Sequence, residues 1–288
     1  MSFTELKDLL FRNYLKLLII SMMFGVISLL SSFAIPVKYT ATSILIINQD
    51  SFKGDTTNSA VGLIGATLGF GAVDSIKSPD YAIAFLRSRQ ILDKMILNEP
   101  NLIRDLMAIK SFDFNHKTPI FNSKYYSVEN HALKDPIPSN HDIYRNLHRY
   151  QLSIGKDLRT GFISISFQHP SPYFAKNFIE LLVQTLNDTT SDSEIARSDS
   201  SINFLNEQRE FYPQTELKTS ISFLIEQELQ KKLIASIQDD YLLKYIDPPS
   251  IPERKSSPSR AKFIVFGFFL GLVFGIFFLI RSHKIGGV

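Results

Sequence analysis

The sequence predicts an α+β protein: two transmembrane helices flanking a periplasmic domain built of a small membrane-proximal mixed sheet and extended helices. Three observations predict it. Two charge-free apolar blocks stand near the ends of the chain, each close to one bilayer in length. Runs of β-forming residues lie just inside both blocks. Between them run long polar stretches with apolar residues at three- and four-residue spacing.

The first block, residues 17–35, would span about 28 Å as a helix, close to the ~30 Å of a hydrocarbon core. The second, residues 263–280, is similar. A buried helix of a soluble protein rarely runs this far without a charge. A cleaved signal peptide is the rival for the first block, since Ser32-Phe33-Ala34 loosely resembles a cleavage site, but the apolar stretch exceeds the usual 7–15 or so residues. Lys7, Arg12 and Lys16 precede the first block against Lys38 after it, which places the N-terminus in the cytoplasm. Two crossings return the C-terminus there, with Arg281 and Lys284. The basic residues before the second block argue the other way, and the first helix is taken to dominate. The expected boundaries are a cytoplasmic 1–16, spans at 17–35 and 263–280, a periplasmic 36–262 and a cytoplasmic tail 281–288.

Within the middle, Tyr39 to Ile47 is rich in β-formers and reads as a strand. Gly62, Gly65, Gly69 and Gly71 match neither dinucleotide nor P-loop spacing and predict a loop or a small-residue helix. Residues 80–97 read as one amphipathic helix ended by Pro100. Residues 100–140, with Pro119, Pro136 and Pro138, predict a loop-rich insertion with one short helix. Leu152 and Ile154, the turn Arg159-Thr160-Gly161, then Ile163, Ile165 and Phe167 alternating with serines predict a hairpin. Ser171-Pro172 is a cap with proline at the first helical position, and Phe174, Phe178, Leu181 and Leu182 mark the face of the helix it starts. Ile195, Ile202, Leu205 and Tyr212 form a sparse heptad stripe, for a solvated helix or for one facing a partner across a subunit boundary. Pro213 stops or kinks that helix. A second follows, with Leu217, Ile221, Leu224, Ile225, Leu229 and Leu233. Tyr241 to Ile246 is the last strand, and pairing it with the first would join both feet of the domain at its base.

Chemistry-bearing constellations are sparse. The absence of cysteine excludes disulfides, thiolate metal sites and thiol nucleophiles. A net charge of +3 without a basic patch predicts no nucleic-acid partner. The six histidines, His116, His131, His141, His148, His169 and His283, are scattered, and nearly all of them read as surface residues rather than ligands. Glu226–Glu228 and Asp239–Asp240 read as exposed acids with no nucleophile beside them, and Gly-x-Ser-x-Gly is absent. No catalytic residue, cofactor or metal is expected.

Three features remain as candidate sites. Gly267, Gly271 and Gly275 line one face of the second span, where helix backbones can approach closely. Pro248, Pro249, Pro252 and Pro258 lack amide donors and predict a stiff extended spacer, whose surface a polymerase would meet in the functional reading. Arg254, Lys255, Arg260 and Lys262 beside it are candidates for contacts to lipid phosphates, or to an anionic glycan carrier.

The order of these pieces resembles the Wzz family of polysaccharide co-polymerases, the chain-length determinants. The resemblance rests on Pro36-Val37-Lys38-Tyr39-Thr40-Ala41-Thr42 directly after a first span, on Leu224-Ile225-Glu226-Gln227 before the last strand, and on Asp247 to Arg254 with Pro258-Ser259-Arg260 before a glycine-bearing span. It implies a non-enzymatic homo-oligomer of the inner membrane that regulates the chain length of O-antigen or a related lipopolysaccharide or capsule glycan. The partners it implies are a polysaccharide polymerase, membrane lipid and a lipid-linked glycan. The eight residues after the second span hold no Walker motif and no tyrosine, so the branch with a fused kinase is not expected. An inner-membrane adaptor for polysaccharide export is the alternative, and a periplasmic glycosidase a third reading that needs two acids about 5–10 Å apart in a cleft.

Overall fold

The computed structural model describes residues 11–48 and 78–285, apart from 115, 117, 128, 129, 136, 212 and 213. The glycine-bearing stretch 51–74 and Pro213 lie outside the described residues. The chain divides into two compact units: Met1–Lys38 with Arg254–Val288, and Tyr39–Glu253.

The first unit is a helical hairpin. Helix α1 (Tyr14–Phe33) and the C-terminal helix Arg260–Ile285 are each long and apolar enough to cross a membrane. The first starts before its charge-free block, at Tyr14, and stops short of its end, at Phe33, while the second runs past its block at both ends.

The second unit is α+β. Strand β1 (Tyr39–Ile47) is followed by α2 (Pro79–Leu86), α3 (Arg89–Asn98), α4 (Leu102–Ala108), β2 (Ile109–Asp113), β3 (Thr118–Phe121), β4 (Tyr126–Ser127) and β5 (Ala132–Leu133). Then come α5 (Asn140–Asn146), a π-helical turn (Leu147–Gln151), β6 (Leu152–Lys156), β7 (Ile163–His169), α6 (Pro172–Phe211), α7 (Thr215–Ile237) and β8 (Leu243–Asp247). The C-terminal helix of the first unit is α8.

The main sheet has strand order β6-β7-β1-β8. The first and last strands do pair, with Ile47 opposite Leu243 and Leu45 opposite Tyr245. The sheet is antiparallel throughout, not mixed. The reason is topological: β6 and β7 form a tight hairpin and β8 returns against the direction of β1, so no two neighbours are joined by a crossover that would make them parallel. At the hairpin, Asp157 accepts hydrogen bonds from the Arg159 and Thr160 amides, which hold its carboxyl below the usual carboxylate range. Gly161 takes φ +74°, where a side chain is strained.

Alternation on β7 turns Ile163, Ile165 and Phe167 inward, all fully buried. They meet the first half of α6, whose Ala175, Phe178, Ile179, Leu182 and Leu186 follow helical spacing. The Phe167 and Phe178 rings stack at 4.0 Å. The cap expected from sequence forms: the Phe174 amide donates to Ser171 Oγ at 3.3 Å. Helices α2 and α3 close the same core through Leu86, Ile91 and Met95.

Several details depart from the sequence expectation. The single helix expected over 80–97 is two, broken at Arg87-Ser88, because Ser88 leaves helical geometry to cap the Ile91 amide. Residues 100–140 hold the expected short helix but also two small two-stranded ribbons. Pro119 sits opposite Phe112 in one of them, a place open to proline because a two-stranded ribbon has free edges. His169 is buried, not a surface residue: it pairs with Tyr39 across the sheet, and its Nδ1 accepts from the Ser171 amide at 3.2 Å. His148 is half-buried, and both burial and the Arg87 charge press its pKa down. Glu228, expected to be exposed, is buried between helices, with Lys231 at 2.7 Å.

Helices α6 and α7 pack as an antiparallel hairpin within the chain; of the sparse stripe on α6, Leu205 is buried, Ile195 and Ile202 are half-buried, and Tyr212 lies outside the described residues. The seam is largely polar. Buried Glu194, Ser198 and Glu228 share it with Leu205, Ile221 and Ala235, and Ser198 Oγ donates to Glu228 at 3.2 Å. Of the apolar face expected on α7, Ile221 is buried, while Leu217, Leu229 and Leu233 stand exposed.

Candidate functional site

In the helical hairpin, α8 presents its glycines to α1. A Cβ built on Gly271 would lie 2.7 Å from Phe24 Cβ and 2.8 Å from Ser21 Cα, closer than packed atoms tolerate. One on Gly275 would meet Leu17 Cδ2 at 2.9 Å, and one on Gly267 would collide with Ser28. α1 answers with small residues of its own, Ser21, Gly25 and Ser32, which are its buried positions. Two small-residue faces let the helix backbones approach, so the packing that aliphatic side chains supply in water comes here from close backbone contact. Ser28 Oγ donates to the Phe263 carbonyl at 2.7 Å, a cross-helix bond near the start of α8. Phe24 and Phe274 add a ring contact at 5.3 Å.

The proline segment is divided between the two units. Pro248, Pro249 and Pro252 follow β8 in the second, with Pro249 buried and Pro248 exposed. Pro258, buried behind a cis Ser257–Pro258 bond, belongs to the first. There the chain is tied to Lys38. The Lys38 amide donates to the Ser257 carbonyl at 3.0 Å, and the Ser256 amide donates back to the Lys38 carbonyl at 2.9 Å. Arg254, Lys255, Arg260 and Lys262 all stay exposed. The Arg260 guanidinium lies 4.2 Å over the Phe33 ring, a cation–π contact that joins the end of α1 to the start of α8. The structure therefore brings together the glycine face and the Pro258–Arg260 corner, while the first three prolines stand with the sheet.

The last strand is held from its outer side by a residue not singled out from sequence. Asn187, buried on α6, donates through Nδ2 to the Leu243 carbonyl at 2.9 Å, and its Oδ1 accepts from the Leu242 and Leu243 amides at 3.1 and 2.8 Å. A primary amide reproduces the donor and acceptor of a peptide, so Asn187 stands where another strand's backbone would. Asn48 holds the preceding turn by donating to the Asp240 carbonyl at 2.6 Å. An isolated asparagine in a helix carries no periodic signal that would reveal this.

Among the described residues no group of three histidines and acids is placed to hold a metal ion.

Among solved structures, the chain is similar to a full-length bacterial polysaccharide co-polymerase over 99% of its own length and 99% of the other's, at 13% identity and a TM-score of 0.38. It is similar to a fragment of WzzB, a polysaccharide co-polymerase from Salmonella Typhimurium, over 77% of this chain and 100% of that one, at 11% identity and a TM-score of 0.30. A mutant of WzzBSF, the Shigella flexneri lipopolysaccharide O-antigen chain-length regulator, matches over 76% and 100%, at 12% identity and a TM-score of 0.20. No family model matches the chain, and no curated protein does.

Proposed function

We propose that this chain is a non-enzymatic regulator of surface-polysaccharide chain length, acting as an oligomeric scaffold of the bacterial inner membrane beside a polymerase. The observation that carries the reading is the doubled pairing of the chain's two ends. The first and last long helices pack on each other through glycine and serine, and the first and last strands of the sheet pair with each other. One module is thus framed by two candidate spans, and the Wzz-like proline segment leads from its last strand to the second span. On this reading residues 17–35 and 263–280 cross the membrane, 36–262 lie in the periplasm, and 1–16 and 281–288 lie in the cytoplasm, as Lys7, Arg12 and Lys16 favour. Arg254, Lys255, Arg260 and Lys262 meet lipid phosphates, and Pro248 and Pro252, the prolines after β8 that are open to solvent, belong to the surface that a polymerase meets.

Assembly of several copies is supported by the apolar residues the single chain leaves exposed on the α6–α7 hairpin: Phe204 on α6, and Leu217, Leu229, Leu233 and Ile237 on α7. O-antigen or a related lipopolysaccharide or capsule glycan is the polymer this reading assigns. Deleting the gene is expected to change the modal length of the polymer on a polysaccharide gel while leaving its linkages intact, and a reporter fused at residue 150 is expected to be active only outside the cytoplasm. An unaltered ladder in a strain that makes such a polymer rejects the reading. Polymer trapped inside cells at its normal length would favour the export adaptor instead.

A further inference from the structure

Where β2 and β3 approach the start of α6, the second unit opens a cleft of about 370 Å³. Its walls combine two chemistries. Phe112, Pro119 and Tyr173 supply flat apolar faces, and Arg104, Asp105 and Asn177 supply polar groups at the edges. The ring of Phe112 is also the middle of a row. Tyr39 meets Phe114 at 5.5 Å between ring centres, Phe114 meets Phe112 at 5.4 Å, and Phe112 meets Tyr173 at 5.2 Å. Phe114 stands in the turn one residue past β2, and its ring meets that of Phe112 edge-on. The four rings therefore form a continuous track from the first residue of β1 into the cleft.

This track is not core. Phe114 is 50% exposed, and Tyr39, Phe112 and Tyr173 are each partly open to solvent. Exposed rings in a contiguous row ask for a ligand with apolar faces of its own. The charges narrow the class. Arg104 is bonded to Asp105 through Nε at 2.7 Å, so among the described residues that line the cleft the one cation is already balanced. What remains on the polar side is planar hydrogen-bonding groups: a guanidinium–carboxylate pair, and the exposed Asn177 carboxamide, which has no hydrogen-bond partner among the described residues.

A ligand with flat C–H faces and a rim of neutral donors and acceptors matches that combination, and a pyranose ring has both. Pockets of this kind take affinity from the apolar walls and orientation from a few placed polar groups. We propose that the row Tyr39–Phe114–Phe112–Tyr173 is a track for a sugar chain, on which pyranose rings stack in succession, and that the cleft at Arg104, Asp105 and Asn177 grips the hydroxyls of one ring. The inference rests on the polysaccharide reading for its ligand and adds the place where that ligand touches the chain.

The test uses the full chain in its own membranes. A photoreactive benzophenone amino acid replaces Phe114, and a second version carries it at Leu158, an apolar position of the β6–β7 turn that is 92% exposed. Irradiation is expected to give a carbohydrate-staining adduct from position 114 and none from position 158. Tyr173→Ala should cut that adduct about tenfold, while Tyr173→Phe, which keeps the ring, should retain it. Asn177→Leu, at an exposed position that leaves the core untouched, should cut it several-fold. An adduct that contains lipid or another protein but no sugar overturns the proposal, as does no adduct above the position-158 control. The same strains report on the broader reading. If gene deletion shifts the polymer's length yet position 114 captures no sugar, the track fails and the chain-length function stands. If position 114 captures sugar while the length is unaltered, the track stands and that function fails.

Discussion

Replacing Asn187 with alanine removes three hydrogen bonds at once, and the structure allows the cost to be worked out. The Leu243 carbonyl and the amides of Leu242 and Leu243 lose their partner, in a place where Asn187, Leu242 and Leu243 are all buried. Among the described residues β8 is an edge strand, with no further strand to take them. An unmet buried backbone group costs about 1–3 kcal/mol, with the upper end softened where water can enter. Three such groups give about 3–6 kcal/mol, against a total stability of about 5–15 kcal/mol for a typical domain. The assay is urea unfolding of the full chain in detergent, followed by tyrosine fluorescence. Asn187→Asp separates hydrogen bonding from packing. Its carboxylate still accepts from both amides but turns an oxygen toward the Leu243 carbonyl. That contact favours the protonated acid, so its folded pKa rises above the unfolded value. Stability of this variant is then greatest in acid and falls as pH climbs through the folded pKa. A loss under about 1 kcal/mol for Asn187→Ala, or an aspartate variant indifferent to pH, would refute the role assigned to this amide.

Gly271→Leu should part α1 from α8, because its Cβ alone would stand 2.8 Å from backbone at Ser21, whereas Gly275→Ala should be milder, since the atom it meets is the movable end of Leu17. With no native cysteine to interfere, a Phe24→Cys/Phe274→Cys pair should be bridged by a short bifunctional thiol cross-linker and lose most of that bridging in the Gly271→Leu background. His148, whose pKa is held below 6.5 by burial and by Arg87, contributes stability that is present above pH 6.5 and lost as pH falls through its lowered folded value. His148→Phe should flatten that acid-side decline in urea titrations between about pH 5 and 7.

Much of the scaffold was legible because it obeys short-range rules. The strand at Tyr39–Ile47, the hairpin closed at Gly161 and the helix opening at Pro172 each carry alternation, turn chemistry or a cap within a few residues. The missed features depend on distant partners. Ser88 is the kind of residue that favours a cap over a helix interior, but the amphipathic spacing runs on through it, so the periodic signal hides the break. Asn187 matters only because β8, 56 residues later, arrives beside it. The aromatic track draws Tyr39, Phe112, Phe114 and Tyr173 from three separated stretches, one of them the proline-bearing region where sequence periodicity fails.

The long hairpin of α6 and α7 inverts the usual arrangement of an isolated helix pair. A pair that must stand alone in water places its apolar residues in the seam and its charges outside. Here the seam holds Glu194 with Arg197 at 2.7 Å, Glu228 with Lys231 and Ser198, and Lys232 bonded to Asp199 at 2.6 Å. Such pairs add little net stability once their desolvation is counted, though a fixed set of polar partners specifies register. The side chains able to contribute substantial burial, Phe204, Leu217, Leu229, Leu233 and Ile237, face outward. At about 25 cal/mol per Å² of apolar surface removed from water, the driving force along this hairpin lies on its outer faces. The two observations fit one design: the seam sets how the helices align within a chain, and the outward faces are what neighbouring copies cover in the proposed oligomer. On that design the hairpin is ordered most firmly once assembled. Hydrogen exchange along α7 should therefore slow on going from dilute detergent, where copies separate, to the membrane, and equal exchange in both would detach the outward apolar faces from assembly.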